Sequence, residues 1–207
     1  MKIAPRTHRR RKEARPAELI AAALGLFVEK GFAATRLDDV ATMAGVSKGT
    51  LYLYFDNKEA LFRAAIEHNI VPVIEQAEDI VARHDGKAAE LLAGLVRGWW
   101  CSAGTSKAGD VLKLIVTEAR NFPDVAAYYN DMVVERAKRL VCEVVDLGIR
   151  RGEFRPVDPA MAFHAVFSPA MLLIIWNHSI GACCTQELDP DRYLEFSLDL
   201  MLNGLKT

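Results

Sequence analysis

The chain has 207 residues, 51% of them hydrophobic, so it can bury a sizeable core and is not a disordered polyelectrolyte. Its formal net charge of -1 conceals a division: residues 1–63 hold 12 Lys+Arg against 7 Asp+Glu, and the remainder holds 14 against 20. A basic front on an acidic body is the electrostatic footprint of a nucleic-acid binder whose larger part does something else. Cys101, Cys142, Cys183 and Cys184 form neither a CxxC pair nor a secreted disulfide framework, and the first twenty residues lack the apolar stretch of a secretion signal. The expected compartment is therefore the reducing cytoplasm.

Hydrophobic spacing is helical nearly everywhere, with no sustained strand-type alternation, so the fold class is all-α with about nine helices. Residues 1–15 are polar and basic and read as a flexible arm. A first helix is expected from Pro16, with Leu19, Ile20, Ala23, Leu24, Phe27 and Val28 as its apolar stripe and Lys30-Gly31 as its end. Thr35-Arg36-Leu37-Asp38 resembles a capping box and starts a short second helix running to Ala44. Ser47 caps a third helix to about Phe55, and Asn57-Lys58-Glu59 starts a fourth to about His84, bent or interrupted near Pro72. Further helices are expected at about Lys87–Ala103, Gly109–Asn121, Asp124–Arg151, Pro159–Ile180 and Asp189–Leu205.

The segment from Pro159 to Gln186 carries no Lys, Arg, Asp or Glu and is long enough to span a membrane. His164, Ser168, Pro169, Asn177 and His178 interrupt it, and no basic cluster flanks it closely, so it reads as a buried helix instead.

Val40 to Tyr52 meets the demands of a helix-turn-helix in register. Ala41 is small where the second helix crosses the first, Gly45 tolerates positive φ at the turn, and Val40, Val46 and Leu51 lock the pair together. The amino end of the second helix, which enters the major groove in this motif, carries Ser47, Lys48, Gly49 and Thr50. Lys48 and Thr50 are candidates for base contact; Tyr52, Tyr54, Lys58 and Thr35 are candidates for phosphate.

The run Gly31-Phe32-Ala33-Ala34-Thr35 … Ala44-Gly45-Val46-Ser47-Lys48-Gly49-Thr50-Leu51-Tyr52-Leu53-Tyr54-Phe55 … Lys58-Glu59-Ala60-Leu61-Phe62 closely resembles the tetracycline-repressor (TetR) family. Glu118-Ala119-Arg120-Asn121-Phe122-Pro123-Asp124 and Gly152-Glu153-Phe154-Arg155-Pro156 resemble one C-terminal subgroup of it. The resemblance implies a DNA-binding head at 16–63 and a helical effector-binding and dimerisation body at 64–207. It also implies a homodimer, sealed by the last two helices, on a pseudo-palindromic operator in double-stranded DNA. A small molecule would release that repressor.

Candidate linings for the effector are Trp99, Trp100, Phe163, His164, Phe167, Met171 and Trp176, aromatic or soft side chains at helical spacing. No cofactor motif and no metal-spaced cluster is evident; His178, Cys183 and Cys184 read as structural groups near a helix end rather than a sensor. An architectural DNA binder or an activator without an effector is the alternative. An enzyme is not expected, because nucleophile elbow, phosphate loop and carboxylate pair are all missing.

Overall fold

The computed structural model describes residues 6–104, 106–177 and 188–206. Among these the chain is all-helical, with a single isolated bridge between Phe154 and Lys206. The helices are α1 (Arg6–Lys30), α2 (Leu37–Met43), α3 (Lys48–Tyr52), α4 (Lys58–Asn69), α5 (Val71–Arg83) and α6 (Ala88–Ala103). They continue as α7 (Lys107–Glu118), α8 (Pro123–Tyr129), α9 (Glu135–Arg150), α10 (Pro159–Ile175) and α11 (Pro190–Leu205). These eleven segments correspond to the nine expected rods. α4 meets α5 end to end at Ile70, and α8 runs through a π-helical turn, Asn130–Val134, into α9. Pro72 explains the first break, since it has no N–H to offer the carbonyl of His68.

One expectation is corrected at the amino end. α1 begins at Arg6, so Arg6–Arg15 is helical rather than a flexible arm, and Pro16 lies inside the helix. Arg, Lys, Glu and Ala before the proline are strong helix formers, and the proline forfeits one hydrogen bond without ending the run. The α1 stripe packs as expected except at Val28, which is 37% exposed.

The head is α1 to α3 with the start of α4. Gly31 closes α1 at φ +86, its amide bonding to the Phe27 carbonyl. The turn between α2 and α3 hangs on Gly45 at φ +65, with the Val46 amide reaching back 2.9 Å to the Ala41 carbonyl. Val40, Ala41 and Leu51 are buried, and Val46 packs on the core beside them. Ser47 caps α3, its Oγ accepting from the Thr50 amide at 3.1 Å, and Asn57 caps α4 the same way at 2.7 Å from Ala60.

In the body, α9 packs between α5, α6 and α10 through Val141, Val144 and Val145, all buried. Gly148 allows the Phe154 ring to lie on the helix backbone; a Cβ there would come within 2.2 Å of the ring. Asp158 and Asp189 cap α10 and α11, each followed by proline at the first position. The Glu153 carboxylate accepts from the Ala88 amide at 2.8 Å and so supplies a negative cap to α6. Two forked ion pairs fasten the walls: Arg136 to Glu78 at 2.8 and 2.7 Å between α9 and α5, and Arg97 to Glu195 at 2.6 and 2.7 Å between α6 and α11. Among the described residues no helix is long and apolar enough to cross a membrane.

Two stability predictions follow from this architecture. Gly45→Ala should cost about 1 kcal/mol and Gly45→Asn less, because the residue needs a left-handed backbone while a Cβ there meets nothing within 4 Å. Equal losses in urea melts would show that the turn's backbone is not the cause. Hydrogen bonds from Arg136 hold the Glu78 carboxyl below its usual range. A depressed carboxyl contributes stability that is present above its unfolded pKa and lost as pH falls through the folded one. Arg136→Met should therefore cost about 1 kcal/mol at neutral pH, discounted for the half-exposed carboxylate. That cost should shrink between about pH 5 and about pH 3; a pH-independent difference in melts would point to lost packing instead.

Candidate functional site

The outer face of α3 collects most of the expected head residues. Ser47, Lys48, Gly49 and Tyr52 are exposed, and Thr50 is half-buried with its hydroxyl 2.8 Å from Ser47 Oγ. Lys48 Nζ sits 2.9 Å from an Asp38 carboxylate oxygen and 5.8 Å from the centre of the Tyr52 ring. The hydrogen bond to Asp38 holds the ammonium pKa above its ordinary value. Tyr54 is half-buried against the core. Leu53, which the sequence reading did not select, is 82% exposed beside Tyr52.

Two expected phosphate ligands are turned inward. Thr35 is 3% exposed, and its hydroxyl donates to the carbonyls of Gly31 at 2.8 Å and Leu26 at 3.2 Å. It ties the end of α1 to the turn, while Arg36 takes the cap position of α2 without a side-chain bond. Lys58 donates to the carbonyls of Phe32 and Ala33 at 3.0 and 2.9 Å, and its ammonium lies over the rings of Phe32 and Phe122. The acceptors lie 26 and 25 residues upstream, beyond any local pattern.

The same region joins head to body. Phe32 is fully buried among Phe27, Phe62 and Phe122, the last contributed by the turn between α7 and α8. One turn further along α4, Arg63 stacks over the Tyr128 ring at 5.3 Å, and the Tyr128 hydroxyl donates to Glu67. Burial, then the bond to Glu67, push the Tyr128 phenol up to about 12.

Behind Tyr128 the body holds two adjoining cavities of about 290 and 250 Å³. The first lies between α5, α6 and α9; the second lies between the π turn, α6 and α10; Ile74, Trp99, Ala137 and Phe167 border both. Gly94 and Gly98, one turn apart on α6, open the first, and a Cβ on either would meet nothing within 4 Å. Of the expected linings, Trp99, Phe163, His164, Phe167 and Met171 border a cavity. Trp100 and Trp176 border neither of these two. Trp100 is buried with its Nε1 donating to Asp191 at 2.9 Å, which ties α6 to α11, and Trp176 caps the end of α10. The sequence reading missed Tyr129 at the end of α8, Val133 and Val134 in the π turn, all of which border the second cavity, and the two glycines.

On the far side of the body, α10 and α11 expose Met161, Leu172, Phe196 and Leu200, each at least 46% accessible. Ala165 and Ser168 complete the face of α10 at helical spacing. No three His, Cys, Asp or Glu side chains converge among the described residues. His178, Cys183 and Cys184 lie outside them.

Comparison with known proteins agrees with this division. Residues 19–65 match the family model "Bacterial regulatory proteins, tetR family", and residues 73–180 match "Tetracyclin repressor-like, C-terminal domain". The chain is 32% identical over 165 residues to YfiR, an uncharacterized HTH-type transcriptional regulator of Bacillus subtilis, covering 76% of each. It is 27% identical over 193 residues to the HTH-type transcriptional repressor KstR2 of Rhodococcus jostii, covering 91% of each. Among solved structures, FadR of Bacillus subtilis in complex with stearoyl-CoA aligns with a TM-score of 0.75 at 22% identity, over 91% of this chain and 98% of that one. A putative regulator of Saccharomonospora viridis in complex with choline aligns at 0.76 and 19% identity, over 95% and 99%. The chain belongs to the TetR family of DNA-binding transcriptional regulators, with its helix-turn-helix in the head and a tetracycline-repressor-like helical body behind it.

Proposed function

We propose that the protein is a cytoplasmic repressor that binds a pseudo-palindromic operator as a homodimer and lets go when a small molecule fills the body cavities. The observation that carries this reading is the pair Tyr128 and Tyr129. Consecutive on one turn of chain, the first bonds to Glu67 on α4 and the second lines a cavity. A ligand that shifts the π turn thereby acts on the helix that leaves the head. Release is a matter of linkage: the effector weakens DNA binding by as much as it prefers the DNA-incompatible arrangement.

The head reads DNA with α3. Lys48 and Thr50 approach base edges, Ser47, Gly49, Tyr52 and Tyr54 hold phosphates, and exposed Leu53 offers an apolar contact for a thymine methyl. Thr35 and Lys58 serve the fold behind that face rather than the DNA. A short recognition helix reads few base pairs, so a second head is needed for specificity. The apolar face of α10 and α11 supports pairing there, since Met161, Leu172, Phe196 and Leu200 form a patch that a second copy would cover.

Three measurements test the reading. Lys48→Ala and Thr50→Ala should each weaken operator binding by about 1–3 kcal/mol while changing binding to scrambled DNA far less. Equal loss on both DNAs would sink the base-contact assignment. Phe196→Glu should convert the dimer to monomer in sedimentation and abolish binding to the full operator; an unchanged mass would place the interface elsewhere. Tyr128→Phe should keep operator affinity within about threefold yet blunt release by effector, because coupling energies of this kind run to about 1–3 kcal/mol. An undiminished response would remove Tyr128 from the route.

A further inference from the structure

Resting on the effector reading above, we infer that the cavities take an uncharged, elongated, mainly apolar molecule bearing a hydrogen-bonding oxygen, and that the Tyr129 hydroxyl is its polar anchor. The two cavities adjoin at four shared bordering residues, so one elongated molecule reaching both would lie along Ile74, Trp99, Ala137 and Phe167. Trp99 and Phe167 meet edge-on with ring centres 5.3 Å apart and offer it apolar ring surface. No Lys, Arg, Asp or Glu borders either cavity. A carboxylate, phosphate or ammonium drawn inside would lose its water without gaining a counter-charge, which disfavours ionic ligands strongly.

Polar groups at the second cavity are few. Ser168 already donates its hydroxyl to the His164 carbonyl, and the exposed His164 ring leans on Phe163. Tyr129 is different. It is 8% exposed and borders the cavity, and its hydroxyl, with no side-chain partner among the described residues, keeps some accessible surface. Burial holds the phenol protonated well above its ordinary range, so it remains a donor at any physiological pH. A donor open to the cavity is available to a ligand oxygen, which would take the place of water there. The backbone there departs from the α-helix: Tyr129 immediately precedes the π turn whose Val133 and Val134 border the same space, and such turns frequently mark binding sites.

The test uses the full-length protein and three probes of one chain length: decan-1-ol, decanoate and decyltrimethylammonium. Decan-1-ol should raise the melting temperature and bind, by calorimetry, at least about tenfold more tightly than either ion. Tyr129→Phe should weaken decan-1-ol about tenfold, the loss expected for one buried hydrogen bond, with the ligand-free melt serving as the control for folding. Gly98→Leu, which places a side chain in open space, should leave the protein folded and abolish binding of the probe. Tighter binding of either ion, or unaltered binding by Tyr129→Phe, overturns the inference while leaving an effector site in place. The ranking of the three probes on the unaltered protein decides the ligand class even if Tyr129→Phe does not fold. If none of the three binds, the inference fails; if decan-1-ol binds equally to Gly98→Leu, the cavities are not the site and the effector reading fails with it.

Discussion

The contact between Phe32 and Phe122 is what makes head and body one mechanical unit. Phe32 belongs to the turn after α1, Phe122 to the turn before α8, and their rings meet edge to face at 4.5 Å. Phe27 and Phe62 pack on the head side of the same cluster, at 4.8 and 5.2 Å from Phe32. Aromatic pairs of this kind add about 0.5–1.5 kcal/mol each beyond their burial. Lys58 then covers the cluster, its ammonium held by two carbonyls of the head while it faces the Phe122 ring. A head on a flexible linker would search DNA independently of the body. This head cannot, because its core continues into the body's, so its orientation follows the turn that carries Phe122.

The opposite end of that lever is built from departures from ideal helix. Gly94 and Gly98 each weaken α6 by up to about 1 kcal/mol relative to alanine, and they leave space where side chains would otherwise meet α5 and α9. The π turn interrupts the passage from α8 to α9 beside the second cavity. Elsewhere the body is closely packed: Phe154 lies on Gly148, and Val144 and Val145 are inaccessible. The π turn thus lies where α8 passes into α9, two residues beyond Tyr128, whose hydroxyl bonds to Glu67 on α4. Under the proposed mechanism, a ligand-driven shift of this turn would reach the head through α4.

How much of this was legible in the sequence depended on distance along the chain. Caps and turns were readable because their partners lie within a few residues: Ser47 with Thr50, Asn57 with Ala60, Asp158 with Ala160, Gly45 between α2 and α3. The helix-turn-helix was readable for the same reason. Thr35 bonds back only four and nine residues, to Gly31 and Leu26, whereas the acceptors of Lys58 are set by how the turn after α1 lies against α4, which no local pattern encodes. Helical spacing alone does not tell Trp100 from a cavity-lining aromatic, because its partner Asp191 lies 91 residues away. The glycines of α6 carry no hydrophobic signal at all, and Tyr129 sits next to Tyr128 with nothing in the sequence to say which one faces inward. Cavities are defined by what several helices jointly leave unfilled, so their walls emerge only after packing.

The DNA face shows why control belongs to the body. Lys48, the one cation on α3, is paired with Asp38 in the absence of DNA, and both groups are largely in water. Moving Lys48 from that carboxylate to a base edge or a phosphate exchanges one charge contact for another, so each head gains modest net affinity from it. In the proposed dimer, strength then comes from engaging two heads at once. The second contact is intramolecular only when head spacing matches the operator, and that benefit is lost when it does not. A regulator whose individual heads bind weakly is therefore acutely sensitive to their separation. Under the proposed mechanism, the Phe32–Phe122 joint and the π turn beside Tyr129 would place that separation under the influence of whatever occupies the cavities.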